Sequence, residues 1–175
     1  MPIDGNYAGM WVDNRIQGAG FREGLYNQLL TPIQQASGFY IFSFELACLG
    51  GVGFGQPELA VYGIYNPNNS LAQNPVNSHT PSNIDLFGGS NTVLLGNIPI
   101  QSPCSNDKEL LDLSFSSSIA GFPDSGITHI MLTRSANIIG GARFIGVDDF
   151  CIQPTEPPME TGCCDSLENL SLIHI

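Results

Sequence analysis

The nine residues from Phe144 to Ile152 read FIGVDDFCI, an apolar strand pattern with two adjacent carboxylates set into its middle. Side chains change face at every residue of a regular strand. Ile145, Val147, Phe150 and Ile152 therefore share one face only if the strand slips by one residue near Asp148 and Asp149. A β-bulge supplies that residue. The stretch reads as the closing strand of a β-sandwich, carrying an acidic kink.

Working outward from it, strand signals recur along most of the chain. Gly38 to Cys48 is the strongest: Tyr40, Phe42, Phe44 and Leu46 make one apolar face and alternate with Ile41, Ser43, Glu45 and Ala47. Further strands are predicted over Tyr7–Val12, Leu25–Leu30 (ended by Thr31-Pro32), Leu59–Tyr65, Thr92–Ile100, Leu110–Ser116, Gly126–Thr133 and Phe144–Ile152. The connections are rich in Gly, Pro, Asn and Ser, and the longest runs from Asn66 to Ser90. About eight to nine short strands with such turns predict an all-β chain, an antiparallel β-sandwich of jelly-roll type. Its core is expected from Tyr40, Phe42, Phe44, Leu46, Leu59, Val61, Leu113, Phe115, Ile130, Leu132, Ile145, Val147, Phe150 and Ile152.

Composition narrows the function. The chain has 175 residues, enough for one domain with a sizeable core. Its net charge is −11, and its cations are Lys108, Arg15, Arg22, Arg134 and Arg143 alone. Phosphate backbones are held by many Lys and Arg contacts, so nucleic acid is excluded as a partner, as is an electrostatic grip on an anionic membrane. No apolar run approaches the roughly twenty residues of a membrane span, so no membrane insertion is expected. The start of the sequence, MPID, is no signal peptide. The domain is expected over residues 1–152. The PTEPPMETG stretch makes 153–162 a Pro-rich linker. Residues 163–175 read as the start of a further module or as an artefact, because SLIHI resembles translated adapter read-through.

Five cysteines lack the short C-x-x-C pairs of zinc sites. In an oxidising compartment Cys48 and Cys104 are candidates for a disulfide; otherwise Cys48 and Cys151 are small strand residues carrying thiols. The glycine-rich GGVGFG loop, Gly50 to Gly55, fails the G-x-G-x-x-G spacing and leads into a strand, which excludes a dinucleotide fingerprint. There is no G-x-S-x-G elbow. His129 lies on a strand and is expected as a sheet-face residue. Asp148 and Asp149 are sequence neighbours and diverge, so they are not the facing carboxylates of a glycosidase. Glu45 could oppose another acid, but nothing in the sequence pairs it. An enzyme is accordingly not expected.

Two binding roles remain. Asp148 and Asp149, with Asp4 and carbonyls near Gly5 and Asn6, could wrap a structural Ca²⁺, a hard ion that takes oxygen ligands. Alternatively, the carboxylates cap backbone N–H groups exposed by the bulge. Sugar binding needs an aromatic platform flanked by planar polar groups. The candidates are Trp11, Arg15, Arg22, Tyr62 and Tyr65, with Tyr26 beside them. Trp11 could equally be a packing residue.

Three segments resemble the galactose-binding-like jelly-roll family of carbohydrate-binding modules: DGNYAGMW (Asp4 to Trp11), EGLYNQLLTPIQQASGFYIFSFELA (Glu23 to Ala47) and FIGVDDFCI. Their order and spacing match that family over Asp4 to Ile152, and the closing strand matches its Y-I-G-I-D-D/N-V pattern. The resemblance implies a non-catalytic extracellular or cell-surface module that binds a glycan or polysaccharide, with neighbouring modules in a larger secreted chain. It also implies a Ca²⁺ held between the chain start and the acidic last strand, and a first strand that is truncated or very short here. It fixes no sugar-binding aromatic. The rival expectation is a structural or adhesion spacer without a sugar site.

Overall fold

The computed structural model describes residues 8–13, 23–35, 38–52, 56–65, 91–100, 107–135, 142–155 and 171–174. Nine strands run through them: β1 (Ala8–Asp13), β2 (Glu23–Ile33), β3 (Phe39–Val52), β4 (Glu58–Ile64), β5 (Thr92–Pro99), β6 (Glu109–Ser116), β7 (Ile127–Arg134), β8 (Ala142–Pro154) and β9 (Ser171–His174). No helix occurs among the described residues.

The strands form two antiparallel sheets, β1-β8-β3-β6 and β5-β4-β7-β2-β9. The pairing is nested: β1 with β8, β2 with β7, β3 with β6 and β4 with β5. Two further ladders, β3 with β8 and β4 with β7, join these pairs sideways. A long hairpin of four strand pairs rolled on itself in this way is a jelly roll.

Period-two alternation explains why the sheets face each other. Met10, Val12, Phe42, Phe44, Leu46, Phe115, Ile145, Val147 and Phe150 point inward from the four-stranded sheet. Leu25, Leu59, Val61, Val93, Leu95, Ile127, Ile130 and Leu132 meet them from the other. Every residue expected in the core is there, with Tyr40, Leu113 and Ile152 at its half-buried margin. Burying a large apolar side chain contributes about 1.5–3 kcal/mol.

Several boundaries differ from expectation. Thr31-Pro32 does not end β2, which continues to Ile33 through an irregularity between Gln28 and Ile33. Proline lacks the N–H a regular ladder needs, and a bulge tolerates it. The closing strand runs two residues past Ile152, to Pro154, because Gln153 and Pro154 pair with Ile41 and Tyr40. Ser171–His174, expected outside the sandwich, pairs with Glu23–Tyr26 on the outer edge of β2. An edge strand offers unpaired N–H and C=O groups, which is the physical reason a short apolar segment adds there. Gly50, Gly51 and Val52, expected in a loop, extend β3 and pair with Phe144, Arg143 and Ala142; residues 53–55, the Asn66–Ser90 connection and the Pro-rich 156–162 stretch lie outside the described residues.

Candidate functional site

Strand β8 organises the outer face of the four-stranded sheet. Along β3, Glu45 stands opposite Asp148 and Ser43 opposite Cys151. Asp149 and Phe150 therefore share Phe44 as their one counterpart, which is a β-bulge at the place the sequence requires. Asp149 takes the extra position with a left-handed backbone, φ 50°. Short polar residues adopt that conformation more readily than others do, because their side chains can bond locally. Here the neighbouring carboxylate supplies the bond: the Asp149 N–H donates to Asp148 Oδ1 at 2.9 Å. Beneath the bulge, Phe150 turns inward onto Phe42 and Phe44, with ring centroids 5.6 and 5.9 Å away. The slip thus puts two acids on the surface and a third ring into the core.

Glu45 and Asp148 are directly opposite on neighbouring strands, a placement that costs stability for like charges. Lys108, the chain's only lysine, stands between them. Its Nζ lies 2.6 Å from Glu45 Oε2 and 3.7 Å from Asp148 Oδ2. The hydrogen bond it donates to Glu45, reinforced by the charges of Glu45, Asp148 and Asp149, holds the ammonium above its usual 10.5, against a smaller opposing effect of burial.

Ca²⁺ takes six to eight oxygens. One Asp148 oxygen accepts the Asp149 N–H and the other faces Lys108, while Asp149 is exposed. Among the described residues no group of three or more His, Cys, Asp or Glu is placed to hold a metal. The described residues alone do not fit the ion, and Asp4 lies outside them. For Asp148 the geometry matches the other expectation, a cap on a bulge N–H group.

Four residues back along β8, about 13 Å at ~3.3 Å per residue, the same face carries rings. Trp11 of β1 is paired with Phe144, its centroid 5.4 Å away at an interplanar angle of 50°. Trp11 is 40% exposed. Phe144 lies across Gly9, where a Cβ would come within 2.8 Å of its Cζ. Glycine at that position lets the ring lie flat against the sheet.

The other sugar-site candidates among the described residues do not join this pair. Arg15 and Arg22 lie outside the described residues. Tyr65 is half-buried beyond the end of β4, its N–H donating to the Asn91 carbonyl at 3.0 Å. Tyr62 corrects an expectation: it belongs to the five-stranded sheet and is only 4% exposed. It packs with Ala60, Ile64 and Met131 in a second apolar cluster, which Tyr26 borders. A ring so enclosed offers no face to a ligand. His129 is the expected sheet-face residue, with Nδ1 2.9 Å from Thr128 Oγ1 and the Tyr26 ring beside it. Burial lowers its pKa below the ordinary 6.5.

Sequence reasoning missed Phe144 and Lys108. Phe144 could have been found by pairing the first strand with the last, as a jelly roll does. Lys108 stands just before β6, and no motif marks it. Cys48 is disulfide-bonded, with its partner outside the described residues, where Cys104 also lies. Cys151 is a buried thiol. The chain matches no protein-family model and no curated protein.

Proposed function

We propose that this chain is a non-catalytic carbohydrate-binding module of the galactose-binding-like jelly-roll kind, acting outside the cell beside other modules of a larger protein. The observation that carries the reading is the Trp11–Phe144 pair on the outer face of the four-stranded sheet. A pyranose has an apolar C–H face that stacks on such a ring, with fixed polar groups near it setting orientation. The Glu45–Lys108–Asp148 cluster supplies charged acceptors and a donor on the same face. Hydrogen bonds to charged groups are the stronger kind. The disulfide at Cys48 suits an oxidising compartment. A structural Ca²⁺ at Asp148 and Asp149 would need further oxygen ligands from outside the described residues, and a rise in Tm on adding Ca²⁺ would be its sign.

Affinity electrophoresis through a panel of polysaccharides, with a glycan array, tests the reading. The folded domain is expected to be retarded by at least one polysaccharide, and Trp11→Ala to weaken that binding by roughly ten-fold, about 1.4 kcal/mol. A folded domain that binds no glycan sinks it.

The second reading is a structural or adhesion spacer. The burial of Tyr62 favours it, because that removes one of the rings expected to face a ligand. Glycan binding lost in Trp11→Ala separates the two.

A further inference from the structure

We propose that the domain has a second binding site, for a small uncharged ligand carrying an apolar ring, in the groove where β2 leaves its sheet. Gln28 pairs with His129 and Ile33 with Ile127, so the four residues Leu29 to Pro32 stand against Thr128 alone. That surplus cannot stay in the ladder, and Pro32 has no N–H to offer it. The chain arches outward, leaving Leu30 69% exposed while Leu29 and Ile33 remain buried at 5% each.

Across the gap stand Tyr40, Ile152 and Pro154 of the four-stranded sheet. The arch and these three residues enclose a groove of about 350 Å³. Ligand sites commonly occupy roughly 300–1,000 Å³, so this one, at the small end, suits a small ring-bearing molecule.

The lining fixes the chemistry. Among the described residues it holds no carboxylate, ammonium, guanidinium or imidazole; their polar side chains are the Thr31 hydroxyl and the Tyr40 phenol. A charged ligand would lose its hydration there and gain no counter-charge. An anion would also meet the field of a chain with net charge −11. Leu30, two prolines and the Tyr40 ring present the flat apolar surfaces that a neutral ring fills. Tyr40 is braced from behind by Phe115, stacked at 5.6 Å, so the wall is formed before a ligand arrives. The groove lies at the Pro154 end of β8, about 30 Å along the strand from Phe144. It is therefore independent of the proposed glycan face.

The test is a titration with N-phenyl-1-naphthylamine, an uncharged amine bearing a phenyl and a naphthyl group that fluoresces on leaving water. A saturable one-to-one rise is expected, weakened roughly ten-fold or more by Leu30→Glu. Leu30 is exposed, so that variant keeps its fold, and circular dichroism verifies it. Trp11→Ala should leave the titration unchanged. The sulfonated analogue 1-anilinonaphthalene-8-sulfonate should bind roughly ten-fold more weakly than the neutral dye. Absence of saturable binding, a Leu30→Glu titration equal to that of the parent, sensitivity to Trp11→Ala, or equal binding of the sulfonate would each overturn the proposal. Since Leu30→Glu is not on the Trp11 face, its polysaccharide retardation reports on the glycan reading separately.

Discussion

On the four-stranded sheet, the outward residues of β8 run Phe144, Gly146, Asp148; on the five-stranded sheet, those of β4 run Ala60, Tyr62, Ile64. Both strands lie inside their sheets, and both alternate inward apolar residues with something else. The first series reaches a half-exposed ring pair and a charged cluster. The second is buried throughout, so β4 is enclosed on both faces from Leu59 to Ile64. A strand covered on both sides reads as a continuous apolar run. Which outer face can meet a ligand therefore depends on what lies over it, not on the fold shared by the two sheets.

The sharpest way to break this comparison is to cut into both faces. Met131→Ala, at a position fully buried in the outer cluster of the five-stranded sheet, is expected to cost about 2–5 kcal/mol in urea denaturation. Trp11→Ala on the opposite outer face should cost under about 1.5 kcal/mol, the scale of one aromatic pair. Equal costs would mean that the two faces do not differ in the way proposed.

Next in size comes the bulge. Asp149→Val forces a β-branched side chain into a left-handed backbone and should cost about 1–2 kcal/mol by the same assay. Asp149→Gly removes that penalty and should leave stability equal or slightly raised. A valine variant as stable as the parent would show that the backbone there has no such demand.

The smallest effect belongs to His129. Burial favours its neutral form in the fold, so the unfolded chain binds the proton more readily. Its contribution is fully present above pH 6.5, the ordinary value, and is lost as pH falls through the lowered folded one. The urea midpoint should drop between about pH 7 and 5, and His129→Gln should flatten that slope. An unchanged slope would place the pH dependence elsewhere.

Much of the fold was legible because a two-residue period is a local signal. The inward rows of β3, β7 and β8 stood out as alternating apolar residues, and the bulge was forced by counting Val147 against Phe150. The site was less legible. Tyr62 looks like a surface ring because its strand alternates, and only the packing of Met131 and Ile64 around it shows otherwise. Trp11 meets Phe144 across 133 residues of sequence, and Lys108 meets Glu45 through the pairing of β3 with β6. Such meetings are fixed by topology, which single-strand patterns do not contain. The arch at Leu29–Pro32 was misread for a related reason: a proline ends a ladder, but not always the strand.

The bulge has a consequence for how this chain tolerates changes of length. Strand β8 is one residue longer than its ladder needs, and the surplus sits at Asp149. A chain lacking that residue would run straight from Asp148, opposite Glu45, to Phe150, opposite Phe44, with Ile145, Val147, Phe150 and Ile152 still facing inward. Removal of a neighbour such as Val147 leaves no such repair, because a straightened strand would then carry Asp148 into the inward position that Val147 held, and a carboxylate there is costly. Asp149 is thus the point on β8 where the sequence can shorten without the sandwich turning inside out.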